Sequence, residues 1–376
     1  MKIAFCVDSL INSRGTERVL SECANFLCDN CDITIITAFN CGHSDFYELD
    51  KRIRRVDLNI DPNTFSRGIP LLYNPLRNAY KNKLELFLTH SSQDIVISLG
   101  GLPTFFLPTI KDGSKKVMWF HFAFDISKIF LKEQYHNFMA QLLYKFQTYR
   151  RVRCAKQFDR LVVLSKSDLK TWLNYVNNVV CIYNPLTIKP NSVCDYKAKK
   201  AIAVGVLGVQ KGFDYLIDAW KIVNKKHPDW ILDIFGEGPD RDALQEQICN
   251  QGLMNHVFLR GRTSDIEHEF VNHSLFVLSS RAEGFGLVLV EAGSCGLPLV
   301  SFDCPQGPNE IIQDGSNGFL ISHVGDISSL ANKISLLIED ETLRQIMGSR
   351  AQEMSMSFSA NIIKNKWISL FNELLS

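Results

Sequence analysis

The sequence has no long apolar segment, no low-complexity tract and almost no net charge. It contains no run of about 18 or more apolar residues, which argues against a membrane-spanning helix. The apolar start of the chain is interrupted by Asp8 and followed by polar residues, so it does not resemble a signal peptide. A formal net charge of +1 disfavours a nucleic-acid partner. What remains is a globular chain of 376 residues, long enough for two domains.

Several common functional motifs are also missing. The chain has no P-loop, no nucleophile elbow and no complete dinucleotide-binding fingerprint. Asp240-Arg241-Asp242 has the form of a metal-binding Asp-x-Asp motif, but it opens a helical pattern, so helix capping by the acidic residues is favoured. Cys28 and Cys31 have zinc or redox spacing, yet further ligands lie beyond a predicted strand, which excludes one zinc site and leaves a redox pair open. The 11 cysteines and the lack of an export signal predict free thiols in a reducing cytoplasm.

The charge is distributed unevenly along the chain. Residues 1–190 contain 25 Lys and Arg against 17 Asp and Glu, a net charge of +8, whereas the remainder contains 16 against 23, a net charge of −7. A basic half favours an anionic partner such as a lipid phosphate or a membrane surface, although chance placement on solvated faces also accounts for it. The basic, aromatic stretch at residues 128–156 fits either a helix on an anionic membrane or a helix packed on its own domain.

Short β-rich runs alternate with helical patterns over the whole chain. This alternation predicts parallel sheets covered by helices on both faces. Strands are predicted at residues 2–8, 33–37, 94–98, 116–120, 160–164, 201–205, 231–235, 257–259, 274–278 and 298–302. Helices are predicted at residues 16–28, 213–225, 240–250, 287–294, 327–338 and 360–375.

The alternation stops once, at the proline-containing residues 184–192, and then restarts. We therefore predict an α/β protein of two Rossmann-like, doubly wound domains, at residues 1–190 and 197–357. The C-terminal helix at 358–376 is expected to pack back on the first domain. Ligands of such sheets bind at the carboxyl ends of the strands, so the cleft between the domains is the expected active site.

The most informative segment is residues 280–293, where a predicted strand, a glycine-containing loop and a helix follow one another. Gly284 and Gly286 allow a ligand to approach the backbone, and the helix start at Leu287 and Val288 is suited to a diphosphate. Two acidic residues, Glu283 and Glu291, flank that anion site, and carboxylates accept hydrogen bonds from vicinal hydroxyls. The pattern predicts Glu291 on the ribose and Glu283 on the transferred sugar of a nucleotide sugar. Spacing alone leaves open an ordinary strand, loop and helix with surface glutamates.

The segment resembles the paired-glutamate signature of family 4 glycosyltransferases, a retaining family with the two-domain GT-B fold. The resemblance continues through residues 295–312 and 314–319, is dense over about residues 200–340, and is sparser in the N-terminal half. The sequence looks like that of bacterial members of the family that build lipopolysaccharide, O-antigen or capsule chains. It implies an N-terminal acceptor-binding domain, a C-terminal nucleotide-sugar domain and transfer without a metal ion or other cofactor.

The resemblance also assigns site residues. Lys211, in the loop at residues 205–212, corresponds to a phosphate-binding lysine, and His121, after a predicted strand, to a histidine near the reacting phosphate and acceptor. The residues at 14–18 take the place of a glycine-rich turn that closes on the diphosphate. The implied catalytic residues are His121, Lys211 and Glu283. The implied donor-binding residues are Gly15, Thr16, Lys211, Gly236, Arg262, Glu283, Gly284, Phe285, Gly286, Leu287, Val288 and Glu291.

Two positions depart from the family pattern. Val206 stands where the family usually has an arginine that neutralises the diphosphate. Either Arg18, Arg262 or Arg281 takes part of that role, or transfer is expected to be slow. Arg14 stands where a second glycine is usual, and it either crowds the turn or supplies the missing charge.

Taken together, the residues and the resemblance predict a retaining hexosyltransferase. It would transfer a hexose or N-acetylhexosamine from a UDP-sugar to a glycan or lipid-linked acceptor, in the cytoplasm or peripherally at the inner face of the plasma membrane. Val206 motivates one alternative, a non-catalytic glycosyltransferase-like partner subunit. A second alternative is a sugar-nucleotide epimerase of the same architecture.

Overall fold

The structure is a computed structural model that describes residues 1–12, 15–61, 63, 74–134 and 137–376. The chain divides into two compact units. Unit 1 comprises Met1–His121, Gln134–Thr187 and Ala360–Ser376, and unit 2 comprises Phe122–Glu133 and Ile188–Ser359. Each unit is built on one parallel sheet, so the predicted α/β fold of two Rossmann-like domains is confirmed. Arg14, whose effect on the first turn the sequence left open, lies outside the described residues.

The sheet of unit 1 has seven parallel strands in the order β3-β2-β1-β4-β5-β6-β7. This is the doubly wound order, in which the chain reverses its direction of winding after β3, so that the switch point lies between β1 and β4. Its strands are β1 (Lys2–Val7), β2 (Asp32–Thr37), β3 (Arg54–Asp57), β4 (Ile95–Ser98), β5 (Lys115–Trp119), β6 (Arg160–Val163) and β7 (Val179–Cys181). The central strands β1 and β4 are buried on both faces, as expected for a sheet covered by helices on each side.

Helices cover both faces of this sheet. Those of unit 1 are α1 (Gly15–Leu27), α2 (Pro75–Ser91), α4 (Asn137–Ala155), α5 (Lys166–Leu173) and α13 (Ala360–Leu375), whereas α3 (Ile126–Gln134) lies almost wholly in unit 2. The amphipathic pattern at residues 360–375 forms α13, which packs on α1 and places Trp367 4.9 Å from the ring of Trp119. No helix among the described residues combines the length and apolar character needed to cross a bilayer.

Unit 2 repeats the architecture with six parallel strands in the order β10-β9-β8-β11-β12-β13. The strands are β8 (Lys200–Val204), β9 (Ile231–Phe235), β10 (Val257–Gly261), β11 (Leu275–Leu278), β12 (Leu299–Phe302) and β13 (Gly318–Ile321). The helices are α6 (Phe213–Lys226), α7 (Arg241–Asn250), α8 (Ile266–Val271), α9 (Leu287–Ser294), α10 (Pro308–Ile311), α11 (Ile327–Glu339) and α12 (Glu341–Ser355). Trp220 of α6 is fully buried in the core between the helices and the sheet.

Three strands were not predicted, and one predicted interaction is wrong. β3 was missed because three of its four residues are charged and it lies at the sheet edge, only partly buried. β7 and β13 are short strands at or near sheet edges. Asp240 does precede α7, but its side chain makes no capping hydrogen bond, because its backbone (φ −90°, ψ 6°) adopts a turn rather than the extended conformation of a cap.

Candidate functional site

The predicted anion site lies where β11 ends and α9 begins. Helix α9 spans Leu287–Ser294, as predicted, and Gly286 before it has a left-handed backbone (φ +83°). The N–H of Leu289 already donates to the carbonyl of Gly286, while Leu287 and Val288 are only partly buried. The start of this helix therefore presents backbone N–H groups that an anion can bind.

The loop that carries the first acidic residue is braced by the loop after β12. The N–H of Glu283 donates to the carbonyl of Pro305 (3.3 Å). Gly307 has φ +105°, and a Cβ there would lie 2.1 Å from the carbonyl oxygen of Phe285, so only glycine allows this approach. Phe285 itself is buried and packs 5.3 Å from the ring of Phe358. The loop at residues 283–286 is thus held rigidly, with Gly284 partly exposed within it.

Lys211 and Glu283 are in direct contact. The Lys211 Nζ lies 2.7 Å from the Glu283 Oε1, and the same oxygen accepts a hydrogen bond from the hydroxyl of Ser280. Both glutamates of the predicted pair are buried, each only 6% exposed. Glu291 lies in the second turn of α9, four residues after its first residue. The sequence predicted these residues for one site, and unit 2 places Lys211 and Glu283 against each other.

The turn that carries Lys211 is anchored to the end of β11. It is a short 3₁₀ helix, Val209–Lys211, followed by Gly212 with φ +61°. A Cβ on Gly212 would lie 2.2 Å from the carbonyl oxygen of Ser279, and the Ser279 hydroxyl donates to the Lys211 carbonyl. These contacts explain how residues 72 positions apart bring an ammonium group to Glu283.

Arg281 also anchors the turn that carries Lys211 to the end of β11. The sequence predicts a different role for it, as one of three arginines that could replace the missing arginine on the diphosphate. Its guanidinium donates to both oxygens of Asp214 (2.8 and 2.6 Å) and lies 4.0 Å from the centre of the Tyr215 ring. Its backbone N–H donates to the carbonyl of Gln210, and the hydrogen bonds to Asp214 raise the pKa of the guanidinium. Arg281 therefore positions the turn that carries Lys211. An arginine 67 residues from its carboxylate partner leaves no local signal of such a role.

Three glycine turns lie at the carboxyl ends of β8, β9 and β10. Gly236 has φ +143°, and a Cβ there would lie 1.8 Å from the carbonyl oxygen of Gly205, while its N–H donates to the carbonyl of Gly261. Gly236 is thus required by packing, whatever else it contacts. Beside this turn Val206 is 60% exposed, and Arg262 is exposed directly after β10.

The remaining predicted residues belong to unit 1. Gly15 is the first residue of α1 rather than part of the turn before it; it is exposed, and a Cβ there would meet nothing within 4 Å. Thr16 follows it and is partly buried. Arg18, a candidate to replace the missing arginine, donates to the carbonyl of Thr187 at 3.4 Å.

His121 is the second residue after the end of β5. Its ring lies 4.4 Å from that of Trp119, and its Nε2 is enclosed with no hydrogen-bond partner among the described residues. Burial lowers the pKa of His121 from 6.5 to about 3. The imidazole is therefore neutral at physiological pH and able to donate and accept hydrogen bonds.

Asp8 was not selected from the sequence. It follows β1, and burial raises the pKa of its carboxyl from 3.8 to about 6, against an opposing hydrogen bond from the backbone of Leu102. Its Oδ1 is buried without a partner among the described residues, and a Cβ on Gly101 would lie 2.5 Å from its Oδ2. Its position in the sequence could have identified it as a candidate, because an acidic residue directly after a buried parallel strand lies at the ligand-binding edge of the sheet.

Over the described residues, no group of three or more His, Cys, Asp and Glu side chains is arranged to hold a metal ion. The Asp-x-Asp segment at residues 240–242 is accordingly not part of such a group. Asp240 precedes α7, and Arg241 pairs with Glu237 at 3.1 Å.

The chain is similar to known glycosyltransferases in sequence and in fold. The family model "Glycosyl transferases group 1" matches residues 187–354, which contain Lys211, Glu283 and Glu291. A glycosyltransferase of Haemophilus influenzae is 28% identical over 372 residues, covering 97% of this chain and 98% of that protein. A Campylobacter jejuni enzyme, GalNAc-alpha-(1->4)-GalNAc-alpha-(1->3)-diNAcBac-PP-undecaprenol alpha-1,4-N-acetyl-D-galactosaminyltransferase, is 25% identical over 380 residues, covering 100% of this chain and 99% of that protein.

Among solved structures, TarM of S. aureus, in complex with UDP and alpha-GlcNAc-glycerol, is similar with a TM-score of 0.78. The similarity covers 99% of both chains at 18% sequence identity and shows the fold, which is that of the GT-B glycosyltransferases. Over residues 187–354, this chain is thus similar to the group 1 glycosyl transferases.

Proposed function

We propose that this chain is a retaining, family 4 type hexosyltransferase that uses a UDP-sugar. It transfers a hexose or an N-acetylhexosamine to a cell-surface glycan or a lipid-linked acceptor, in the cytoplasm at the inner face of the plasma membrane. The observation that carries the proposal is the contact between Lys211 and Glu283 beside the start of α9. The relative named for transfer to an undecaprenol-linked glycan supports the acceptor class.

The diphosphate of the donor binds at the start of α9. Gly286 allows its close approach, the N–H groups of Leu287 and Val288 donate to its oxygens, and Lys211 supplies a full positive charge. These groups neutralise the charge of the diphosphate, a role that a metal ion has in other transferases. Preorganised charge of this kind stabilises the leaving group and is often the largest catalytic contribution.

The two buried glutamates bind the sugars on either side of that diphosphate. The hydrogen bonds from Lys211 and Ser280 both reach Oε1 of Glu283, so its Oε2 can accept from hydroxyls of the transferred sugar. Glu291 accepts from the ribose hydroxyls. Gly236 and Arg262 lie at the carboxyl ends of neighbouring strands and belong to the nucleotide end of the site.

In the reaction, the bond between the anomeric carbon and the diphosphate oxygen breaks, and the acceptor hydroxyl oxygen bonds to the same face of that carbon. The hydroxyl proton passes to the departing phosphate oxygen, so net configuration is retained. From unit 1, Gly15 and Thr16 contact the diphosphate, and the neutral imidazole of His121 positions the acceptor or the reacting phosphate.

A donor screen tests the proposal. UDP-glucose, UDP-galactose, UDP-GlcNAc and UDP-GalNAc are first ranked by thermal shift, and UDP release is then measured with the strongest binder, with and without EDTA. We expect release that EDTA does not change and that Glu283→Ala nearly abolishes, whereas Glu246→Ala, at an exposed glutamate on α7, leaves it unchanged. Equal turnover by Glu283→Ala and the unmodified protein would remove Glu283 from the donor site.

The same assay separates the two alternatives. A non-catalytic partner subunit would release no UDP with any donor, and an epimerase would convert one UDP-sugar into another without releasing UDP. Val206 motivates the first alternative, because an arginine usual in the family is missing there. The second rests on shared architecture alone.

A further inference from the structure

Helix α4 of unit 1 exposes aromatic and aliphatic side chains along one face. Phe138 is 80% exposed, Leu142 56%, Phe146 43% and Tyr149 62%. At 100° per residue these four positions fall within an arc of about 80°, over a length of about 17 Å. A helix that covers a sheet normally turns such residues inward, so an outward apolar face indicates an interaction surface.

The same face is basic and contains no acid. Residues 137–155 include four Lys and Arg and no Asp or Glu. Arg153 lies within the arc of the apolar residues and Lys145 lies about 20° beyond its edge; both are exposed and make no ion pair among the described residues. Lys156 directly after the helix extends the row. We call this face, formed by Phe138, Leu142, Lys145, Phe146, Tyr149, Arg153 and Lys156, the α4 stripe.

Two other arginines of the helix hold it on unit 1. Arg150 lies over the ring of Phe105 (5.2 Å) and Arg151 over that of Phe120 (5.6 Å), both outside the helix, whereas the contact of Arg150 with Phe146 (5.8 Å) lies within α4. The helix is thus fixed to its domain by cation–π contacts on one side while its stripe faces outward. Phe105 is itself 42% exposed and extends the apolar surface beyond the helix.

We propose that the α4 stripe docks unit 1 on an anionic lipid bilayer, with the rings in the headgroup region and the basic side chains on lipid phosphates. Apolar side chains that alternate with unpaired cations fit such a surface, since it offers both an apolar layer and negative charge. A second copy of the chain fits less well, because a two-fold contact would place the basic stripes against each other. The inference does not depend on which sugar is transferred.

The test is flotation of the full chain with vesicles of phosphatidylcholine alone and of phosphatidylcholine with equal parts of phosphatidylglycerol. We expect binding to the anionic vesicles that weakens at high salt. The variant Phe138→Ser/Leu142→Ser/Tyr149→Ser should lower the partition coefficient more than about tenfold. The variant Lys145→Gln/Arg153→Gln/Lys156→Gln should lower it by about fivefold per charge removed.

Matched controls lie in unit 2. Met254→Ser/Leu336→Ser/Ile346→Ser removes three exposed apolar side chains, and Lys221→Gln/Lys225→Gln/Lys226→Gln removes three exposed charges. Both should bind vesicles as the unmodified chain does. The proposal is overturned if the unmodified chain does not float with anionic vesicles or if stripe and control variants float alike. It is also overturned if sedimentation velocity shows a dimer that only the stripe variants dissociate. UDP release without acceptor tests the proposed function separately, because it needs no membrane.

Discussion

Lys211 and Glu283 form an ion pair in which the ammonium nitrogen lies 2.7 Å from a carboxylate oxygen, with side chains only 19% and 7% exposed. The residue expected on the diphosphate and the residue expected on the sugar are therefore bonded to each other. Each depends on its partner, because an isolated charge at this depth is poorly solvated.

The first prediction concerns this dependence. Lys211→Met leaves the buried carboxylate without its cation and should lower the free energy of unfolding by about 2–4 kcal/mol. The double variant Lys211→Met/Glu283→Gln should recover part of that loss, because no uncompensated charge remains. Urea denaturation of both variants and of Glu283→Gln measures the coupling. Strictly additive effects would show that the pair contributes no interaction energy.

Val206→Arg should strengthen donor binding or raise the rate of transfer. The side chain is 60% exposed, so an arginine can be accommodated without burying its charge, and it restores a bidentate partner for a diphosphate. Titration calorimetry with the UDP-sugar and initial rates measure the gain, with Val206→Gln as a neutral control of similar length. No difference between the two variants would mean that the diphosphate is already neutralised by other groups.

Asp8 should make the protein less stable as pH rises. Its folded-state pKa of about 6 lies above the ordinary 3.8, so its contribution to stability is full below about pH 4 and is lost as pH rises through 6. The difference amounts to about 3 kcal/mol at most. Asp8→Asn should remove this part of the pH dependence and raise stability at pH 7 relative to the unmodified chain, measured by denaturation at several pH values. Asp32→Asn, at an exposed aspartate, should leave the pH dependence of stability unchanged. Equal curves of stability against pH for the two variants would contradict the raised pKa of Asp8.

Gly236→Ala should destabilise unit 2 by about 3 kcal/mol or more. The added Cβ would lie 1.8 Å from the carbonyl oxygen of Gly205, and φ is +143°, which L residues rarely adopt. Thermal unfolding measures the loss. A melting temperature equal to that of the unmodified chain would show that the turns at Gly205 and Gly236 can move apart without loss of stability.

Gly15→Ala should leave the protein stable but lower its activity. Its Cβ would meet nothing within 4 Å, and alanine at the start of α1 restricts the unfolded chain, so stability should be unchanged or rise by about 0.5 kcal/mol. UDP release should nevertheless fall, because the methyl group occupies space that the proposed diphosphate needs. Full activity of a stable Gly15→Ala protein would remove Gly15 from the donor site.

The local patterns of the sequence were sufficient for most of the architecture. β9 at Ile231–Phe235, α9 at Leu287–Ser294 and α13 at Ala360–Leu375 have the predicted bounds, because apolar spacing and glycine punctuation are local properties. They also sufficed to place two glutamates around the start of α9. β3 was not predicted, because a charged strand at a sheet edge shows no regular spacing of apolar residues.

The partners of the site residues were decided by the tertiary structure alone. The contact of Lys211 with Glu283 and that of Arg281 with Asp214 join residues 72 and 67 positions apart, where loops after different parallel strands meet at one edge of the sheet. The burial that shifts the pKa of Asp8 and of His121, and the outward direction of the α4 stripe, likewise depend on what packs around each side chain. Periodicity shows which residues share a face of one element, but a contact between elements depends on how the whole chain packs.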